Sequence, residues 1–150
     1  MEAGVEFSIA PTWGMISPAN KKMFLEWNTS ADGSGTGYNP EDIISMPASN
    51  LTLYAIWVDA RAVIYAYDKA QDTVGTLKIR TFEPENTVII LAAYDSNGRL
   101  IKMNEYLPNV SGGLEQSVVV NFNFAGAASV KAFMWDKEFI PMYKYKNIAI

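Results

Sequence analysis

Apolar and polar side chains alternate along two stretches near the start of the chain. One is Met23-Phe-Leu-Glu-Trp-Asn-Thr29, the other Leu51-Thr-Leu-Tyr-Ala-Ile-Trp57, and each carries a tryptophan. A period of two predicts β-strands, and two paired strands can direct both indoles into one small core. In the first run Met23, Leu25 and Trp27 share a face and are the expected core residues. Phe24 and Glu26 take the other face, which leaves Phe24 in need of cover. Residues 5–9 alternate in the same way and predict an earlier strand. Residues 10–20 contain Pro11, Gly14 and Pro18, which excludes a long helix but allows a single turn over 18–22 with Ser17 as its cap.

Past the short seam Val58-Asp59-Ala60 the strand signals recur regularly. Residues 61–67, 73–82, 87–95, 99–105, 116–124 and 129–135 are rich in Val, Ile, Tyr and Phe and are separated by turn-forming clusters. This spacing predicts an antiparallel, immunoglobulin-like β-sandwich over residues 59–150, preceded by a small β module over 1–58. The fold class is mainly β. Val88, Ile90, Ala92 and Tyr94 face one way and Ile89, Leu91 and Ala93 the other, so that strand is expected to be buried on both faces. Val118, Val120, Phe122 and Phe124 point to the core, opposite Val119, Asn121 and Asn123. The sequence Asp95-Ser-Asn-Gly-Arg99 predicts a hairpin turn with Asn97 and Gly98 as a positive-φ pair. Trp27, Trp57 and Trp135 all lie in alternating strands and are expected to serve as core packing.

Charge and composition narrow the chemistry. The net charge of −4 resides in residues 1–58, while the remainder carries ten charges of each sign. Neither part has the basic stripe that nucleic acid or an anionic membrane surface requires. The chain has neither cysteine nor histidine, so disulfides, thiolate chemistry, the usual general base and most transition-metal ligand sets are excluded. No run of about 18 apolar residues is present. The first residues lack the pattern of a signal peptide and read as an excerpt from a longer protein.

The loop Asp32-Gly-Ser-Gly-Thr-Gly37 is glycine-rich. Phosphate cradles of this kind need a helix N-terminus after the loop and usually a lysine, and neither follows here. A turn with positive φ at its glycines is the simpler reading. Calcium coordination would need further acids and a glutamate at the twelfth loop position. No cofactor or metal site is expected, and no catalytic residue is assigned. A glycosidase-type pair of carboxylates would need a cleft, which modules this small are not expected to supply.

Taken in order, Phe24-x-x-Trp27-Asn28-Thr29, Asp32-Gly33-Ser34-Gly35-Thr36-x-Tyr38, Met46-Pro47 and Asn50-Leu51-Thr52-Leu53-Tyr54-Ala55-x-Trp57 resemble the B-repeat of bacterial internalins, also called the Listeria–Bacteroides repeat. The resemblance covers the last two-thirds of residues 1–58 and implies a small β-grasp-like module of secreted or wall-attached bacterial proteins. Glu26 stands where that family usually has glycine, and the opening strand is shortened. Val88-Ile-x-x-Ala-x-Tyr94-Asp95-x-x-Gly98-Arg99-Leu100, with Val130-Lys131-Ala132-Phe133-x-Trp135-Asp136, resembles β-sandwich modules of clostridial extracellular proteins. No catalytic residues come with either resemblance.

Three functional classes follow. The favoured one is a non-catalytic structural or adhesion module of a secreted or wall-attached bacterial surface protein, whose partners would be host or cell-wall glycans or surface proteins. The second is a carbohydrate-binding accessory module, and the third is an enzyme. Ligand contact is expected where aromatics escape core duty: at Trp13, in a Pro and Gly loop, and at Tyr143 and Tyr145. The two tyrosines alternate with Lys144 and Lys146, a pattern that also fits a final edge strand guarded by lysine.

Overall fold

The computed structural model describes residues 4–12, 15 and 23–150. Trp13 and the helical turn expected at 18–22 lie outside the described residues. Two compact units are present, Met1–Asp59 and Ala60–Ile150.

In the first unit β1 (Glu6–Ser8) pairs antiparallel with β4 (Ile43–Ser45), and β2 (Met23–Asn28) lies between β3 (Gly37–Tyr38) and β5 (Tyr54–Val58). The alternation in β2 does not survive intact. Phe24 sits opposite Trp57 but Glu26 sits opposite Ile56, so Leu25 is the extra residue of a bulge. A bulge interrupts the period of two and turns the following side chains. Phe24 therefore meets both indoles edge-on, each at 5.7 Å, and it is buried along with Met23. Leu25 and Trp27, expected in the core, are only half-buried. The N–H of the Trp27 indole donates to the Ala10 carbonyl at 2.9 Å.

The glycine loop is organised from within by Asn28, which is 1% exposed. Its Oδ1 accepts from the backbone N–H groups of Ser30 and Gly35 at 2.9 and 3.0 Å, and its Nδ2 donates to Glu26 Oε1 at 2.7 Å. Gly33 has a φ of +77°. Gly35 and Gly37 do not have the positive φ expected of them. A Cβ at Gly35 would displace the Thr29 hydroxyl, and one at Gly37 the flexible end of the Glu26 side chain.

The second unit is a seven-stranded antiparallel sandwich. Strands β6 (Ala62–Gln71), β7 (Val74–Thr81) and β10 (Glu115–Asn121) form a sheet in the order β10-β7-β6. Strands β8 (Thr87–Tyr94), β9 (Leu100–Tyr106), β11 (Ser129–Asp136) and β12 (Lys146–Ile148) form the other, in the order β12-β11-β8-β9. The chain crosses between sheets after β7, β9 and β10, and β9 stays beside β8. The split is therefore three strands and four, with the fourth strand in the opposite sheet from that of an immunoglobulin constant domain.

The core between the sheets follows the alternation. Leu77, Ile79, Ile89, Leu91, Val120 and Ala132 are completely or almost completely buried in it. Phe122 joins them, while Val119 on the opposite face is 62% exposed. Arg80, 2% exposed, enters this unit with its charge matched: its guanidinium lies 3.9 Å from the Tyr65 ring centroid and its Nε donates to Glu115 at 2.7 Å. A final edge strand is present, but it is the short β12, which begins at Lys146, so Tyr143, Lys144 and Tyr145 precede it.

Two expectations change. In the β8–β9 hairpin only Gly98 has positive φ, at +75°, so Asn97 does not share it. The Gly98 N–H donates to the Asp95 carbonyl, and the register slips between Ala93 and Tyr94. This is a turn followed by one left-handed residue and a bulge in place of a two-residue hairpin. Trp135, expected in the core, points away from it. The inward positions of β11 are Val130, Ala132 and Met134, and a period of two sends Trp135 to the outer face.

Candidate functional site

Both faces of β8 and β11 carry apolar side chains, and only one face can meet the other sheet. The remainder forms an aromatic surface outside the core. Pairing sets its rows: Phe133 lies opposite Ile90 and Ile90 opposite Glu105, while Lys131 lies opposite Ala92 and Ala92 opposite Met103. Phe133 packs against Trp135 at 6.0 Å with ring planes 71° apart, and against Tyr145 at 5.6 Å. Ile90 and Ala92 are buried beneath these rings, so β8 is buried on both faces as its composition predicts.

The hollow over this surface has a volume of about 270 Å³. Its floor is Ile90 and Ala92, its walls Phe133, Trp135, Tyr94 and Met103, and Phe139 and Leu100 stand at its rim. Glu105 is the one charged side chain in the lining. Among the described residues it has neither a hydrogen-bond nor an ion-pair partner. A smaller hollow of about 120 Å³ adjoins it, sharing Ile90, Glu105, Trp135 and Phe139 and adding Asp136 and Lys137.

Phe139 reaches the rim through an unusual backbone. Its φ is +63° and it is 70% exposed. The loop that carries it repeats the hydrogen bonding of the β8–β9 hairpin. In that hairpin Asp95 N–H donates to the Arg99 carbonyl, and Asp95 Oδ1 accepts from the N–H groups of Asn97 and Arg99. In this loop Asp136 N–H donates to the Ile140 carbonyl, and Asp136 Oδ1 accepts from the N–H groups of Glu138 and Ile140 at 3.0 and 2.9 Å. Where the first loop has Gly98 in the left-handed position, the second has Phe139. A side chain there costs about 1–2 kcal/mol.

Asp136 also ties the loop to the sandwich. Arg61 Nη1 donates to its Oδ2 at 2.8 Å, and Arg61 grips Glu83 with Nε and Nη2 at 3.0 and 2.6 Å. The Arg61 guanidinium holds the carboxyls of Asp136 and Glu83 below the usual carboxylate range, helped at Asp136 by the N–H of Ile140. Two carboxylates, Glu105 and Asp136, line the smaller hollow; Asp136 is committed to Arg61, and Glu105 has no ion-pair partner among the described residues.

Of the residues expected at a ligand site, Tyr145 comes closest to this surface. It is 47% exposed and lies against Phe133, with Lys131 Nζ 4.4 Å from its ring centroid. Tyr143 is half-buried and is not part of the lining of either hollow. Trp13 lies outside the described residues. Phe133, Trp135, Phe139 and Glu105 were missed as site residues. The available signal was the surplus of apolar residues on both alternations of β11. Among the described residues no three acidic side chains cluster as a metal site, and no helix is long and apolar enough to cross a membrane. No family model, curated protein or solved structure matches the chain.

Proposed function

We propose that this chain is a non-catalytic adhesion segment of a secreted or wall-attached bacterial surface protein, with the sandwich unit engaging a partner through the outer face of its four-stranded sheet. The extracellular setting rests on the resemblance of residues 24–57 to the B-repeat. The recognition role rests on one observation above all: a phenylalanine, 70% exposed, held at a left-handed position beside an aromatic hollow. An exposed ring in a costly backbone conformation returns little folding energy, which favours a role in contact with a partner. A purely structural spacer would have no use for it.

The carbohydrate-binding reading draws support from Trp135 and Phe133, whose rings could stack on sugar. It ranks second because Glu105 and Tyr94 are the polar side chains of the larger hollow, and sugar hydroxyls buried without partners are costly. The test is a binding screen against host glycans, wall polysaccharides and matrix proteins, run with the wild-type chain and with Phe139→Gly. A partner whose capture drops in the variant supports the reading. A partner captured equally by both, or no partner at all, refutes it.

A further inference from the structure

We propose that the outer-face hollow of the sandwich binds the trimethylammonium end of a choline headgroup. The proposal deepens the reading of this face as a recognition surface and rests on it. Three observations carry it. Phe133 and Trp135 meet edge to face at 6.0 Å and 71°, and both line the hollow together with Phe139. A cation surrounded by ring faces is attracted by each ring quadrupole. The row Phe133–Ile90–Glu105 crosses three strands, so the ring and the carboxylate stand roughly 10 Å apart across an apolar floor. Among the described residues the Glu105 side chain has no partner, and a cation seated on Ile90 would acquire both the rings and the acid.

The same face already displays this chemistry with a cation of its own. Lys131 Nζ lies 5.3 Å from the Tyr94 ring and 4.4 Å from the Tyr145 ring. Tyr94 is itself a wall of the larger hollow, whose lining contains one acid and neither lysine nor arginine. Lys137 borders the smaller hollow, exposed to solvent, where it suits the phosphate to which choline is commonly esterified. Asp136, also in that hollow, is neutralised by Arg61. Glu105, which lines both hollows, and Lys137, at the smaller one, are both exposed to solvent, and they offer a carboxylate and an ammonium to the two ends of a choline phosphate. The size agrees as well: about 270 Å³ lies below the range of roughly 300–1,000 Å³ for drug-sized pockets. Phe139 adds a further ring to this lining, at the position where the twin loop carries glycine.

The test is calorimetric titration of the full chain with choline chloride and with its neutral isostere, 3,3-dimethylbutan-1-ol. Choline is expected to bind at least roughly 5-fold more tightly, and Glu105→Gln and Phe139→Gly should each weaken it roughly 3- to 30-fold. Val119→Ala, on the other sheet, should leave it unchanged. Equal affinity for the two compounds overturns the cation assignment while leaving the recognition surface standing. No response to either compound, or no effect of Glu105→Gln, overturns it too. In that case the partner screen with Phe139→Gly decides the broader reading separately. Two further arms separate the sources of the headgroup. Capture on choline-substituted beads that free choline reverses supports the proposal. Sedimentation with phosphatidylcholine vesicles that free choline does not reverse marks apolar membrane docking and overturns it.

Discussion

Replacing Phe139 by alanine and by glycine separates what its ring contributes from what its backbone costs. The ring is 70% exposed, so about a third of the roughly 1.5–3 kcal/mol for a fully buried phenylalanine is at stake, near 0.5–1 kcal/mol. Alanine loses that and keeps the left-handed strain. Glycine loses the same contact but relieves about 1–2 kcal/mol, against an entropic cost of about 0.5–1 kcal/mol. Phe139→Gly should therefore be close to neutral, and more stable than Phe139→Ala by about 0.5–1 kcal/mol. The twin loop supplies the mirror experiment. A Cβ at Gly98 would meet nothing within 4 Å, so Gly98→Ala should lose about the same 0.5–1 kcal/mol from conformation alone. For a unit of this size each kcal/mol moves the midpoint by about 4–8 °C, well within reach of thermal melts followed by near-ultraviolet circular dichroism. The reasoning is refuted if Phe139→Gly melts below Phe139→Ala, which would mean that the backbone carries no strain, or if it loses more than about 2 kcal/mol, which would make the ring a structural element.

Asn28→Ala should unfold or loosen the first unit, with a loss of about 2–3 kcal/mol from the stranded N–H groups of Ser30 and Gly35; amide exchange in the glycine loop would report it, and unchanged protection there would contradict it. The carboxyls of Glu83 and Asp136 are depressed by Arg61 from ordinary values of 4.5 and 3.8. Their contribution is therefore complete above those values and declines as pH falls through and below them. Melts from pH 6 to pH 2 should fall less steeply for Arg61→Gln than for wild type, and parallel curves would disprove the linkage. Phe24→Ala should destabilise the first unit by about 3–5 kcal/mol, read by the fluorescence of Trp27 and Trp57; a loss under about 1 kcal/mol would mean that the ring trio is not a core.

The strands of the sandwich were legible because their cause is local. Alternation, β-branched residues and turn clusters act within a few neighbours, and they locate β7 to β11 and the inward faces of Val120 and Ala132. The Leu25 bulge was not legible. An inserted residue leaves the composition of β2 unchanged, and only its pairing with β5 reveals that Phe24 rather than Leu25 fills the space between the indoles. The site was hidden for a related reason. β11 is apolar on both faces, and a period of two cannot say which face meets the second sheet. Only the stacking of β6, β7 and β10 on one side left Phe133 and Trp135 on the other. Tyr145 could be suspected from its place in a lysine-rich tail, since that pattern is local. Glu105 could not, because it reaches Phe133 by crossing β8. Phe139 was hidden most completely. Its left-handed backbone goes with the hydrogen bonds around Asp136, and the hollow it borders is assembled from three separate strands.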